Sequence, residues 1–214
     1  QVGGDLYDYF MLNEDEFGFA IGDVSGKGVP AALFMSTTIS QMRSVAMLDT
    51  SLNYIVNVIN RSLIRNGNTS MFVTFFAGVL NLNTRRLRFC NAGHPYPIII
   101  KPDGTVEMFK TADNLPLGVS SDYEYEEQEC YFASGSQLLL YSDGVTEAQN
   151  EDAKFYKIDR LFQFVEENKN LSSKELVEKI IAHVDAYAGK AEQSDDLTVM
   201  SFRFKSRTKS RGAL

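Results

Sequence analysis

Two apolar-rich runs open the chain, Leu6 to Asn13 and Glu16 to Asp23, and the polar Asn13-Glu14-Asp15 between them predicts a strand hairpin. The pattern then changes to helical. Pro30 stands in the predicted first turn, where its missing N–H costs little, and the helix runs to about Leu48. A second helix spans roughly Leu52 to Arg65 and stops at Asn66-Gly67-Asn68. From Phe72 to Lys110 the reading is β-rich: Phe72 to Leu80, Arg86 to Cys90, Pro97 to Ile100 and Val106 to Phe109, with turns at Asn83-Thr84 and Asp103-Gly104. Strands follow near Tyr125 to Phe132 and at Gln137 to Tyr141, the latter an unbroken apolar run that implies burial on both faces. Helical periodicity returns at Ile158 to Glu167 and Ser173 to Tyr187, where Ser172 or Ser173 with Glu175 or Glu178 suits a helix start. Leu197 to Phe204 closes the chain as a last strand. Phe72, Phe75, Phe76 and Phe89 are expected in the core, and Met35, Met42 and Met47 to pack from the first helix.

Runs of strands with helices in two blocks predict an α+β fold, an antiparallel β-sandwich flanked by helices. With 214 residues, 44% of them hydrophobic, one packed core is affordable. A single domain over residues 1–204 is expected, because the candidate site residues come from both ends of the chain. The basic tail 205–214 is expected to be frayed. A net charge of −7 argues against nucleic-acid binding. No apolar run of about 18 residues predicts a membrane span, and nothing resembles a signal peptide. Cys90 and Cys130 are lone and read as structural thiols, which fits a reducing, cytoplasmic setting.

Four short segments carry the candidate chemistry: Gly3-Gly4-Asp5-Leu6-Tyr7-Asp8, Gly22-Asp23-Val24-Ser25-Gly26, Ser142-Asp143-Gly144 and Ser194-Asp195-Asp196. Each sets an aspartate beside Gly or Ser, as where a buried strand breaks into a turn. One would be an ordinary turn. Several that converged would repel one another unless cations neutralised them, and an all-carboxylate set suits Mg²⁺ or Mn²⁺ rather than zinc. Lys27 reads either as a solvated loop lysine or as a phosphate contact near the start of the Pro30 helix. His94, in a Gly-His-Pro loop between two strands, reads as a residue that shapes the site, His183 as a surface or groove residue, and Glu147 and Asn150 as turn and capping residues.

Six ordered motifs carry a resemblance: Gly3 to Asp8, Gly22 to Ala32, Asn91-Ala92-Gly93-His94-Pro95, Leu115-Pro116-Leu117-Gly118, Tyr141 to Ala148 and Asp195 to Val199. Together they resemble the SpoIIE/RsbU branch of the PPM metal-dependent serine/threonine phosphatases. The resemblance implies α-β-β-α layers with two metal ions, Mn²⁺ or Mg²⁺, at one end of the sandwich. Asp23 then resembles the ligand bridging both metals, with the Val24 carbonyl beside it. Asp143 and Asp195 resemble ligands of one metal, and Asp5 the carboxylate that completes the other. Neighbouring strand residues point to opposite faces, so only one of Asp195 and Asp196 is expected to reach the site, with Asp195 ranked first. Asp8 is expected in a supporting or turn role. The place of His94 in its motif implies instead a scaffold residue.

The implied reaction is hydrolysis of phosphoserine or phosphothreonine by a metal-bridging water, centred on Asp23 and Asp5, without a covalent enzyme intermediate. Ser25-Gly26-Lys27 stands where eukaryotic members carry a candidate acid histidine, so metal-bound water is the expected acid. The implied substrate is a phosphorylated STAS-domain regulator in a bacterial partner-switching pathway. An upstream sensory region, missing from a chain trimmed at its N-terminus, and a homodimer are further implications. A catalytically silent sensor of the same fold and a two-metal nuclease or nucleotide hydrolase are the alternatives, opposed by the intact aspartate set and the acidic charge respectively.

Overall fold

A computed structural model describes residues 3–47, 51–66, 71–193 and 195–205. The predicted hairpin is β1 (Leu6–Met11) and β2 (Glu16–Val24), paired antiparallel from Leu6↔Gly22 to Met11↔Phe17. Its turn is closed by Asn13, whose Oδ1 accepts the N–H groups of Asp15 and Glu16 at 2.9 Å. Two helices follow, α1 (Val29–Ala46) and α2 (Leu52–Asn66), then strands β3 (Val73–Asn81), β4 (Arg86–Ala92), β5 (Ile98–Ile100), β6 (Val106–Met108), β7 (Gln128–Tyr131) and β8 (Gln137–Tyr141). One short turn of helix, α3 (Asp143–Thr146), precedes α4 (Ile158–Asn168), α5 (Ser173–Ala188) and the last strand, β9 (Val199–Arg203).

The strands form two wholly antiparallel sheets, in the orders β1-β2-β3-β4-β7 and β6-β5-β8-β9. Strand alternation sorts their residues into three cores. On β3, Val73, Phe75, Ala77 and Val79 face α1 and α2, while Phe76 and Leu80 face the second sheet. On β8, Leu138 and Leu140 face the first sheet, while Leu139 and Tyr141 face α4 and α5. The double-sided burial read from its apolar run is thus realised. Between the sheets Phe19, Phe76 and Phe89 stack across β2, β3 and β4, and Phe202 of β9 closes on Phe19 with ring centroids 4.6 Å apart. Such ring pairs add about 0.5–1.5 kcal/mol each beyond area burial. The result is the expected α-β-β-α layering.

Several boundaries and burials differ from expectation. β7 covers only Gln128–Tyr131, because Tyr125 packs into the helix-side core and hydrogen-bonds the Pro116 carbonyl instead of entering the sheet. Phe72 is 37% exposed, since it precedes β3 at the open end of the sandwich, and Met47 at the end of α1 is 86% exposed. Met42 is buried and Met35 packs partly against the core, as expected. His183 is half-buried, in keeping with a groove position: it stacks on Phe164 at 4.3 Å, and its Nδ1 lies 2.6 Å from the Tyr156 hydroxyl. The predicted start of α5 is a capping box between Ser172 and Glu175. Cys90 is buried and Cys130 half-buried, both as free thiols. Among the described residues no helix is long and apolar enough to cross a membrane. The expected stop at Asn66-Gly67-Asn68 lies partly, and the tail 206–214 wholly, outside the described residues.

Candidate metal centre

Antiparallel pairing brings four strand ends to one end of the sandwich: the start of β1 and end of β2 in one sheet, the end of β8 and start of β9 in the other. Asp5 precedes β1, Asp23 is the penultimate residue of β2, Asp143 opens α3 directly after β8, and Asp195-Asp196 leads towards β9. Ser142 ties the two sheets together here. Wholly buried, it donates to Asp5 Oδ2 at 2.7 Å and accepts the Thr198 N–H at 3.1 Å.

Asp23 is the electrostatic focus. Burial first, then Asp5, Asp143 and Asp195, push its carboxyl up to about 8, and it shares a hydrogen bond with Asp5. Asp5 is also raised by burial, against the lowering effect of its hydrogen bonds with Thr198, Ser142 and Asp23. Burial and Asp195 raise Asp143, while the Gly144 N–H and the charge of Lys27 pull it back. The Val24 carbonyl faces Gly4 on the same side as Asp23 Oδ1, since a Cβ on Gly4 would stand 3.0 Å from the one and 3.4 Å from the other.

The paired aspartates divide their work. Asp195 acts through its charge on Asp23 and Asp143, and its Oδ2 lies 3.5 Å from Lys27 Nζ. Asp196 turns to the opposite end of the chain and accepts the Gly4 N–H at 2.8 Å. Two glycines stand at close approaches, the first to a side-chain tip and the second to backbone. A Cβ on Gly3 would lie 2.1 Å from Asp196 Oδ2, and one on Gly144 only 1.9 Å from the Asp196 carbonyl oxygen.

Asp8 stands apart, on the other face of β1 from Asp5, and makes a two-pronged ion pair with Arg43 of α1 at 2.6 Å. Lys27 is an exposed loop residue, as one of its two readings has it, and its Nζ also pairs with Asp195. His94 serves the scaffold: its N–H and carbonyl both bond the Asn91 side chain, and its Nδ1 lies 3.0 Å from Thr74 Oγ1. Burial holds its imidazole neutral, down to about 3, although the Tyr141 carbonyl favours its charged form. No geometric hydrogen bond reaches its Nε2, so that carbonyl offers nearby charge rather than a formed bond.

Sequence reasoning passed over Ser142, whose role depends on Asp5 137 residues away. Glu147 is the capping residue expected, closing α3 with its N–H on the Asp143 carbonyl. Glu147 lies near enough for its carboxyl to be raised, by burial and then by Asp143 and Asp195. Asn150 is the turn residue expected, accepting the N–H groups of Asp152 and Lys154.

The donors fit a hard divalent cation: carboxylates and a carbonyl, with the Asp23 carboxyl raised by burial first and then by its neighbouring carboxylates. As placed, no three His, Cys, Asp or Glu side chains among the described residues form a group able to hold one ion.

The family model of stage II sporulation protein E (SpoIIE) matches residues 13–205. The chain belongs to the SpoIIE family. This is the SpoIIE/RsbU branch of the PPM phosphatases. Its relatives include phosphoserine phosphatase RsbU of Bacillus subtilis (strain 168), 32% identical over 180 residues, covering 84% of this chain and 53% of RsbU. The PP2C phosphatase domain of B. subtilis SpoIIE, solved with a fragment of its regulatory domain, superposes with a TM-score of 0.81 at 21% identity, covering 97% of this chain and 59% of that one. RsbX in complex with magnesium superposes with a TM-score of 0.68 at 17% identity, covering 94% and 87%. At those identities the structures speak for the fold alone. This SpoIIE-family chain spans about half or less of the length of the curated relatives it matches.

Proposed function

We propose that the chain is a metal-dependent protein serine/threonine phosphatase acting on phosphoserine or phosphothreonine, with residues 1–204 as one catalytic domain. The observation that carries it is the convergence of Asp5, Asp143 and Asp195 on Asp23, from both sheets, in a SpoIIE-family chain. Asp23 and Asp5, with the Val24 carbonyl, would hold one cation, and Asp143, Asp195 and again Asp23 the other. Asp196 supports the site by fixing Gly4. Divalent cations, when bound, supply the charge that activates water and stabilises the phosphoryl oxygens. The protein's own part is to fix those carboxylates. Ser142 orients Asp5, and the Gly144 N–H holds Asp143.

The finer reading follows the relatives' names. RsbU is named a phosphoserine phosphatase, and the motif resemblance extends this to a proposed substrate, a phosphorylated STAS-domain regulator in a partner-switching pathway. An upstream signal-receiving region, a homodimer and a cytoplasmic location belong to the same proposal. The test is hydrolysis of a phosphoserine peptide and of a phosphorylated STAS protein with chelator, Mn²⁺ or Mg²⁺. Activity lost in chelator and restored by either ion is expected. Full activity in excess chelator would falsify the metal-dependent reading.

A further inference from the structure

Lys27 is a loop residue at the rim of the aspartate cluster. It lies between the end of β2 and the start of α1, with its ammonium 3.5 Å from Asp195 Oδ2 and both side chains about half exposed. Its charge is also felt by Asp143. It is flanked by Gly26 at φ 114° and Gly28 at φ 80°, conformations that side chains resist. Nothing stands within 4 Å of a Cβ built on Gly28, and only Met71 Sδ, at 3.9 Å, approaches one on Gly26. Gly28 caps α1, its carbonyl accepting the Ala32 N–H, so the backbone holds Lys27 at the helix start while its side chain stands exposed. Beyond it α1 begins, with no acidic side chain in its first turn, so that helix end also favours an anion.

An ion pair this exposed is weak and is readily exchanged. A divalent cation at Asp195 would compete with the ammonium for the same oxygen and repel it. A phosphate dianion arriving at the cluster would then be the nearest site of negative charge.

We propose that Lys27 is a displaceable counter-ion: it pairs with Asp195, yields that carboxylate to a divalent cation, and then positions the substrate phosphate by pairing with it. The inference rests on the phosphatase reading above. No bond is made or broken by Lys27, and its ammonium keeps its protons throughout.

Calorimetric titration with Mn²⁺ alone, and of the Mn²⁺-loaded protein with inorganic phosphate, tests it on the wild type, Lys27→Gln, Lys27→Arg and Lys179→Gln. The last removes the same charge from the exposed face of α5. Lys27→Gln should bind Mn²⁺ roughly three- to tenfold more tightly, because a competing positive charge is gone. It should bind phosphate roughly three- to tenfold more weakly. Lys27→Arg and Lys179→Gln should stay within about twofold of wild type in both titrations. Mn²⁺ binding by Lys27→Gln no tighter than wild type, or phosphate binding no weaker, would overturn the proposal. So would an equal effect in Lys179→Gln, which would reduce the result to net charge. A wild type that takes up no Mn²⁺ would instead refute the phosphatase reading, and Lys27's role with it.

Discussion

At the scale of single residues, Asp23 and Asp8 show how the same side chain is put to opposite uses. Asp23 gathers like charges around a buried carboxyl, whereas Asp8 is neutralised by Arg43 on the helix side of β1. Asp23→Asn should cut turnover of a phosphoserine peptide by at least about a thousandfold while the protein stays folded. Asp8→Asn should lower the urea midpoint but keep turnover within about threefold. Steady-state kinetics beside urea titration separates the two, and the reverse pattern would refute the assignment. His94 supplies a pH dependence. Its folded value, near 3, lies below the unfolded value of about 6.5, so between them the unfolded chain binds the extra proton. Stability from this group is complete above about pH 6.5 and is lost progressively as pH falls towards 3, by about 2 kcal/mol at pH 5. Urea midpoints from pH 8 to 5 should therefore fall more steeply in the wild type than in His94→Gln.

At the scale of elements, the site depends on how closely α3 and the loop before β9 approach. A methyl group on Gly144 would collide with the Asp196 carbonyl, which belongs to backbone and cannot swing aside. Gly144→Ala should therefore displace the loop carrying Asp195 and weaken Mn²⁺ binding at least about tenfold, with far-ultraviolet circular dichroism unchanged. Unaltered Mn²⁺ affinity would show that this approach does not matter to the site. Ser142 joins β8 to the start of β1. Ser142→Ala leaves Asp5 Oδ2 and the Thr198 N–H each short of a partner, which should cost about 1–3 kcal/mol in urea unfolding.

At the scale of the molecule, both sheets contribute carboxylates, so bound cations would fasten one sheet to the other as well as support chemistry. Mn²⁺ at about a hundred times its dissociation constant should stabilise the wild type by about 2.7 kcal/mol. For a chain of this size that raises Tm by roughly 5–10 °C. Asp23→Asn should show a much smaller rise in the same thermal scan. An equal rise in both would place the cations elsewhere on the protein.

The sequence by itself determined what short-range physics controls. The Asn13 turn closes the first hairpin, the apolar run of β8 is buried on both faces, and Ser172 with Glu175 starts α5, because turn chemistry, strand period and capping act over a few residues. It also marked the aspartates at strand ends. Tertiary structure decided which groups meet. Phe72 and Met47 are apolar yet exposed, because their burial depends on where the sandwich and α1 end rather than on local pattern. Asp8 finds Arg43 35 residues away, and Asp196 finds Gly4 across 192. Ser142 reaches Asp5 only because two antiparallel sheets present those strand ends together. Contacts between sequence-distant residues are set by sheet pairing and layer packing, which no local pattern of residues encodes.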